Sequence, residues 1–171
     1  MVFQDQTERI KEWYSQSLYD QFNPFIKLWI AFNGWYKSKY PNKNDRETIN
    51  LCKNDSDLFI FYQRSFTHKQ FCDYLNKLGF ELDKKPLENL TKPRGKKLRL
   101  SRLEDENGEV SFLDNDSEAF KNYLDIVYRV RCNLFHCEKS PTSDRDKLLV
   151  ECSYKTLSII MKHIINTFSG V

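Results

Sequence analysis

Apolar residues recur at three- and four-residue steps along most of this chain, the period of a helix that buries one stripe. From Asp5 to about Phe22, Ile10, Trp13, Tyr14 and Leu18 form such a stripe. Asn23-Pro24 interrupts it, because proline fixes its own φ and pushes the residue before it out of the α region. A second helix is expected from Phe25 to about Tyr40, lined by Phe25, Trp29, Phe32 and Trp35 or Tyr36, and Asn33-Gly34 stays inside it because the pattern continues on both sides. Pro41 to Asp45 reads as a loop. Two shorter helices follow, at about Asp55 to Phe66 and His68 to Leu78, the second ending at Gly79 as its cap.

Phe80 to Leu113 keeps no sustained period and carries Pro86, Pro93, Gly95 and Gly108, so it reads as an excursion from the helices. Weak alternation in Leu98 to Arg102 and Glu109 to Leu113 flanks Asn107-Gly108, a favoured two-residue hairpin turn. Beyond it, Asp116 or Ser117 caps a helix in which Phe120, Leu124, Val127, Arg131 and Leu134 recur at steps of four, three, four and three. Pro141 breaks the pattern between Ser140 and Ser143. Ser143 with Asp146 then starts a final helix through Leu149, Cys152, Leu157, Ile160, Met161 and Ile164. The expected fold is an all-α bundle of about five or six helices, in one domain over residues 1–171, with a small β-hairpin in the 80–113 excursion.

Composition agrees with helices. Gly and Pro number five each in 171 residues, too few for a turn-dense all-β chain, and the aromatic share of 15% supplies a large apolar payload. A chain this long buries about two thirds of its unfolded surface and stands without staples. Five cysteines without a CxxC pair fit reduced thiols better than a disulfide framework, which points to the cytoplasm. The start of the chain lacks a charged-then-apolar leader, and no apolar run approaches the roughly 18 residues that span a bilayer. The net charge of +3 is too small to announce a nucleic-acid binder. Its distribution says more: Lys92 to Arg102 holds six bases and no acid, and Glu104 to Glu118 seven acids and no base. Lys96, Lys97 and Arg99 in the basic run track an RNA backbone, or they lie on a solvated loop that pairs with the acids after it.

Arg131 stands where the stripe reserves an apolar side chain, and a guanidinium cannot shed its charge, so it needs an anion or a partner surface there. His136 follows five residues on, turned by roughly 140° on an ideal helix. A histidine exchanges protons near neutral pH, and an arginine holds a phosphate and stabilises charge on a pentacoordinate phosphorus. RNA brings its own nucleophile, the 2′-hydroxyl, so the pair suffices without a metal. On spacing alone, a surface or ion-paired Arg131 and a helix-end His136 are the simpler account. Cys132, His136, Cys137 and Cys152 offer a zinc set in principle, but without paired CxxC or HxxxH spacing buried thiols between two helices are the plainer reading. Trp13, Trp29, Trp35 and Phe32 fall at core spacing rather than on a stacking platform. No GxGxxG, Walker, GxSxG or HExxH string occurs, which argues against the common dehydrogenase, NTPase, serine-hydrolase and metalloprotease classes.

The stretch Tyr128-Arg-Val-Arg-Cys-Asn-Leu-Phe-His-Cys-Glu-Lys139 resembles the Arg-x4-His signature of HEPN domains, and Leu28-Trp-Ile-Ala-Phe-Asn-Gly-Trp-Tyr36 is similar to the aromatic helix with a Phe-Asn pair found in several HEPN families. The resemblance covers residues 1–40 and 114–168. It implies a helical bundle that pairs as a homodimer, bringing two motifs into one cleft, and a metal-independent endoribonuclease in a toxin or defence role that needs no cofactor. Arg131 would bind the scissile phosphate, His136 would act as general base or acid, and Asn133 would orient the site, with Arg129 and Lys139 as further RNA contacts. The other class it allows is a non-catalytic module that binds RNA, a nucleotide or a protein partner such as an antitoxin or a nucleotidyltransferase. The chain departs from the pattern at Cys132, Cys137 and Glu138.

Overall fold

The computed structural model describes residues 22–89, 95–135 and 143–168. The expected first helix, from Asp5 to about Phe22, lies outside the described residues except at its end. Six helices are described: α1 (Asn23–Lys39), α2 (Asp45–Cys52), α3 (Ser56–Ser65), α4 (Lys69–Lys84), α5 (Ser117–Phe135) and α6 (Asp144–Phe168). Two short strands, β1 (Leu103–Glu104) and β2 (Val110–Ser111), pair antiparallel, giving an all-α bundle with a small hairpin. Among the described residues no helix is long and apolar enough to cross a membrane.

The C-terminal helix α6 is the spine. It packs against α1, α3, α4 and α5, and its buried residues run from Leu149 to Ile164 around most of its circumference. The polar side chains it buries are satisfied inside the helix or next door. Ser153 and Thr156 donate to the carbonyls of Leu149 and Cys152, and the wholly buried Tyr123 of α5 donates to Thr156 Oγ1 at 2.9 Å. The thiols of Cys52 and Cys152 are buried, and burial pushes both up to about 12, so they pack as small apolar groups.

The helix starts follow local chemistry. Pro24 occupies the first turn of α1, where its missing N–H costs nothing. Asp116 Oδ1 accepts from the backbone N–H of Ala119, and Ser143 Oγ from that of Asp146. The helix α2 begins at the end of the expected Pro41 to Asp45 loop and fills residues to which no element was assigned. Asn44 Oδ1 accepts from Glu47 N while Glu47 Oε2 accepts from Asn44 N, a reciprocal capping box strong enough to start a helix of eight residues.

Two further expectations are corrected in and around the excursion. Gly79 does not end α4, which continues to Lys84. The glycine serves a tertiary approach instead, since a Cβ there would lie 2.1 Å from Cγ of Phe112, whose ring rests on the helix. The hairpin turn is also wider than two residues. Leu103 pairs with Ser111 and Glu104 with Val110, the Asp105 carboxylate accepts from Asn107 N and Glu109 N, and Gly108 takes φ +78°. Leu98 instead bridges to Leu87, and Leu87, Leu98, Leu100 and Phe112 are all buried, so the excursion is clamped onto the bundle rather than held away from it.

Asp55 ties the end of α1 to α3. Its buried carboxylate caps α3 through Leu58 N (3.0 Å), pairs with Lys39 Nζ (2.6 Å) and accepts from Tyr40 Oη (2.6 Å). Burial pulls its pKa upward, but these donors outweigh burial and hold it below the usual carboxylate value. A carboxyl depressed by folding gives stability that is present above its unfolded pKa of about 4 and lost as pH falls through the lower folded value. Chemical denaturation across pH 2–6 is expected to show that loss in wild type, and a visibly flatter acid limb in Asp55→Asn. The two glycines give a second check. Gly79→Ala is expected to lower stability by about 1–3 kcal/mol through overpacking against Phe112, whereas Gly34→Ala, with open space at its Cβ inside α1, is expected to raise it by up to about 1 kcal/mol. Thermal melts of both variants decide the point.

Candidate functional site

Helix α5 carries the residues in question on two adjoining stripes. Tyr128, Arg131 and Phe135, at steps of three and four, face α1 and the start of α2. Asp125, Tyr128, Arg129 and Cys132 turn the neighbouring face toward α2 and the excursion. Tyr128 belongs to both.

On the first stripe, Arg131 is half-buried, its side chain 23% exposed. Its guanidinium lies over the Phe135 ring at 4.7 Å and near the Trp29 ring at 5.9 Å, an aromatic floor that favours a cation. Nη2 meets Asp45 Oδ2 at 3.4 Å, the long end of a hydrogen bond, and Nε is buried without a hydrogen-bond partner among the described residues. The indole Nε1 of Trp29 beneath it is likewise buried and unpartnered. Two unused N–H donors thus lie in one neighbourhood, each costly to leave unmade.

Asp45 is shared. Besides Arg131 it accepts from Asn33 Nδ2 at 3.3 Å and pairs with Lys37 Nζ at 3.2 Å. Asn33 also donates to the phenolic oxygen of Tyr36, which is wholly buried. Burial, with the Asp45 carboxylate second, raises the Tyr36 pKa well above the usual phenol value, so this hydroxyl stays protonated.

Asn133 faces inward. It is 2% exposed and its amide donates to the carbonyl of Glu88 at 3.1 Å, fastening the start of the excursion to α5. His136 and Lys139 lie outside the described residues, as does Cys137.

The remaining basic residues divide. Lys97 pairs with Glu88 at 3.2 Å and Arg99 with Asp83 at 3.4 Å, both exposed. Lys96 and Arg129, far apart in sequence, come together on the wall of a pocket of about 380 Å³ between α2, α5 and the excursion. Arg46 of α2 and Lys53 at its C-terminal cap, absent from the sequence-based set, line it too. The signal that could have found them is the Asn44-x-x-Glu47 capping box: it predicts α2 and so places 46, 49, 50 and 53 on one face. Among the described residues no group of three His, Cys, Asp or Glu side chains is placed to hold a metal ion.

The Arg131–Asp45 contact lends itself to a double-mutant cycle. Asp45→Asn leaves a half-buried cation without its carboxylate and is expected to cost roughly 1–3 kcal/mol, while Arg131→Met in that background is expected to recover part of the loss. Urea midpoints of the four proteins, at constant m, measure the coupling.

A comparison of the chain with protein-family models, with curated protein sequences and with solved structures gives no match, so the reading of these two stripes rests on their residues and geometry.

Proposed function

We propose that this chain is a HEPN-type endoribonuclease that cleaves RNA by attack of the 2′-hydroxyl, without a metal ion or cofactor. The observation that supports the reading best is the state of Arg131: a cation on an aromatic floor, held by long contacts to Asp45 Oδ2 and Cys132 Sγ, with its Nε unused among the described residues. A phosphate oxygen offers that donor the strong acceptor it lacks. In the proposed reaction O2′ attacks phosphorus, the P–O2′ bond forms, the P–O5′ bond breaks, and the products are a 2′,3′-cyclic phosphate and a 5′-hydroxyl. Arg131 neutralises charge on the phosphoryl oxygens. His136 takes the proton from O2′ or gives one to O5′, and a homodimer supplies a second copy for the other transfer. Asn133 acts by position, holding α5 to the excursion. A toxin or defence setting, with an antitoxin or nucleotidyltransferase as partner, goes with this reading.

Two observations favour a second reading, a non-catalytic module that binds RNA, a nucleotide or a protein. Asn133 is buried and committed to a backbone carbonyl, and Arg131 already has a carboxylate, which is how a motif retained for structure is arranged.

The experiment incubates labelled single-stranded and structured RNAs with wild type, His136→Ala and Arg131→Gln in EDTA, after melting curves establish that all three fold. The expected result is cleavage by wild type that leaves cyclic phosphate ends, reduced about 10²–10⁴-fold in His136→Ala. RNA that stays intact with wild type, yet binds wild type and His136→Ala equally, assigns the chain to the binding class.

A further inference from the structure

The pocket on the second stripe shares only Tyr128 with the Arg131 stripe and has a chemistry of its own. Among the described residues four cations line it, Arg46 from α2, Lys53 at the C-terminal cap of α2, Lys96 from the excursion and Arg129 from α5, against one carboxylate, Asp125. Asp125 is used, since it pairs with Lys53 Nζ at 2.5 Å. Arg46, Lys96 and Arg129 have no ion pair among the described residues, and Nη1 of Arg129 is buried without a hydrogen-bond partner there. Like charges brought together in a concavity repel one another, and an orphaned guanidinium donor adds its own penalty, so an anion inside would relieve both.

Size and charge narrow that anion. About 380 Å³ is at the small end of ligand pockets, which run from about 300 to 1,000 Å³, so it admits one nucleotide-sized group rather than a run of strand. A three-charge excess suits a phosphate monoester, which carries up to two charges, better than a diester, which carries one. Leu98 and the half-buried Tyr128 provide an apolar stretch of wall. The Tyr128 phenol, pushed up to about 12 by burial and by Cys132 beside it, remains a protonated hydroxyl able to donate.

We propose that this pocket binds the terminal phosphate of a nucleotide, with Arg129, Arg46 and Lys96 as its phosphate ligands, so that the protein recognises the phosphorylated end of an RNA strand. The ligand class rests on the RNA reading above; the phosphate site itself rests on the pocket. An end can enter a pocket of one nucleotide, whereas the interior of a strand would have to pass through it. Because Tyr128 adjoins both stripes, an end seated here places the chain near Arg131.

The test measures fluorescence anisotropy of short labelled oligoribonucleotides carrying a 5′-phosphate, a 3′-phosphate or hydroxyls at both ends, using the His136→Ala protein so that the probes survive. One phosphorylated probe is expected to bind about ten-fold tighter than the hydroxyl-ended probe, the worth of one or two charge-assisted hydrogen bonds. Arg129→Gln and Lys96→Gln, added to that background, are expected to abolish this preference, while Lys27→Gln on the outer face of α1 keeps it. Lys96 is exposed, so its variant guards against misfolding of the Arg129 variant. Competition by adenosine monophosphate at a similar concentration identifies a free nucleotide as a sufficient ligand and supports the phosphate site. Equal binding of all three probes, a preference that survives both substitutions, or tighter binding of a phosphoserine peptide than of phosphorylated RNA overturns the proposal. Cleavage by wild type with no end preference removes this inference alone, whereas an end preference without cleavage removes only the nuclease reading.

Discussion

The Asp45 carboxylate is the junction on which the site depends. It opens α2, accepts from Asn33 and pairs with Lys37 of α1, and meets Arg131 of α5, so three helices converge on one charge. The reason is the arginine. A guanidinium remains charged at any accessible pH, and lining the inner stripe of α5 with one demands a counter-ion brought to it. The Asn44 capping box positions that counter-ion by starting α2 at Asp45, the residue directly after the cap. The side chain is 24% exposed, so its field is only partly screened, and the same carboxylate raises the pKa of the buried Tyr36.

The excursion is the second constraint, because it decides which basic residues can reach α5. Phe112 rests on Gly79, and its backbone N–H donates to Asn76 Oδ1 at 2.8 Å, fixing the excursion's return to α4. At its start Asn133 holds the Glu88 carbonyl, and in the middle Asn122 donates to the carbonyl of Arg99. Leu87 and Leu98 exchange both backbone hydrogen bonds at 2.9 Å. Held at these points, Lys96 is directed over the pocket while Lys97 turns outward to Glu88.

What the sequence made legible follows from which signals are local. The helices α1, α5 and α6 could be read from their period and their caps, and Arg131 from its polarity in an apolar stripe. The continuation of α4 through Gly79 could not, because glycine near the end of a helical pattern is a cap by default and the ring that needs the space lies 33 positions later. The inward turn of Asn133 was equally hidden: a polar residue between Cys132 and Leu134 reads as a site residue until the Glu88 carbonyl is placed opposite it. The missed α2 was within reach, since both partners of its capping box are only three residues apart.

Charge is where local reading is least adequate. The run Lys92 to Arg102 draws attention by density, yet among its described members Lys97, Arg99 and Arg102 all sit beside carboxylates, mostly of residues before the run rather than in the acidic stretch after it. Such exposed pairs are worth little, so they neither stabilise the fold much nor leave a strong field. Around the pocket the cations without an ion pair among the described residues are Arg46, Lys96 and Arg129, one from each of three segments, and only the packing of α2 and the excursion on α5 assembles them. A net charge of +3 and a polarised middle segment therefore describe the chain correctly but point to the run rather than to the positive field of this pocket. That field is set by which charges lack partners, a property of the tertiary structure rather than of the run.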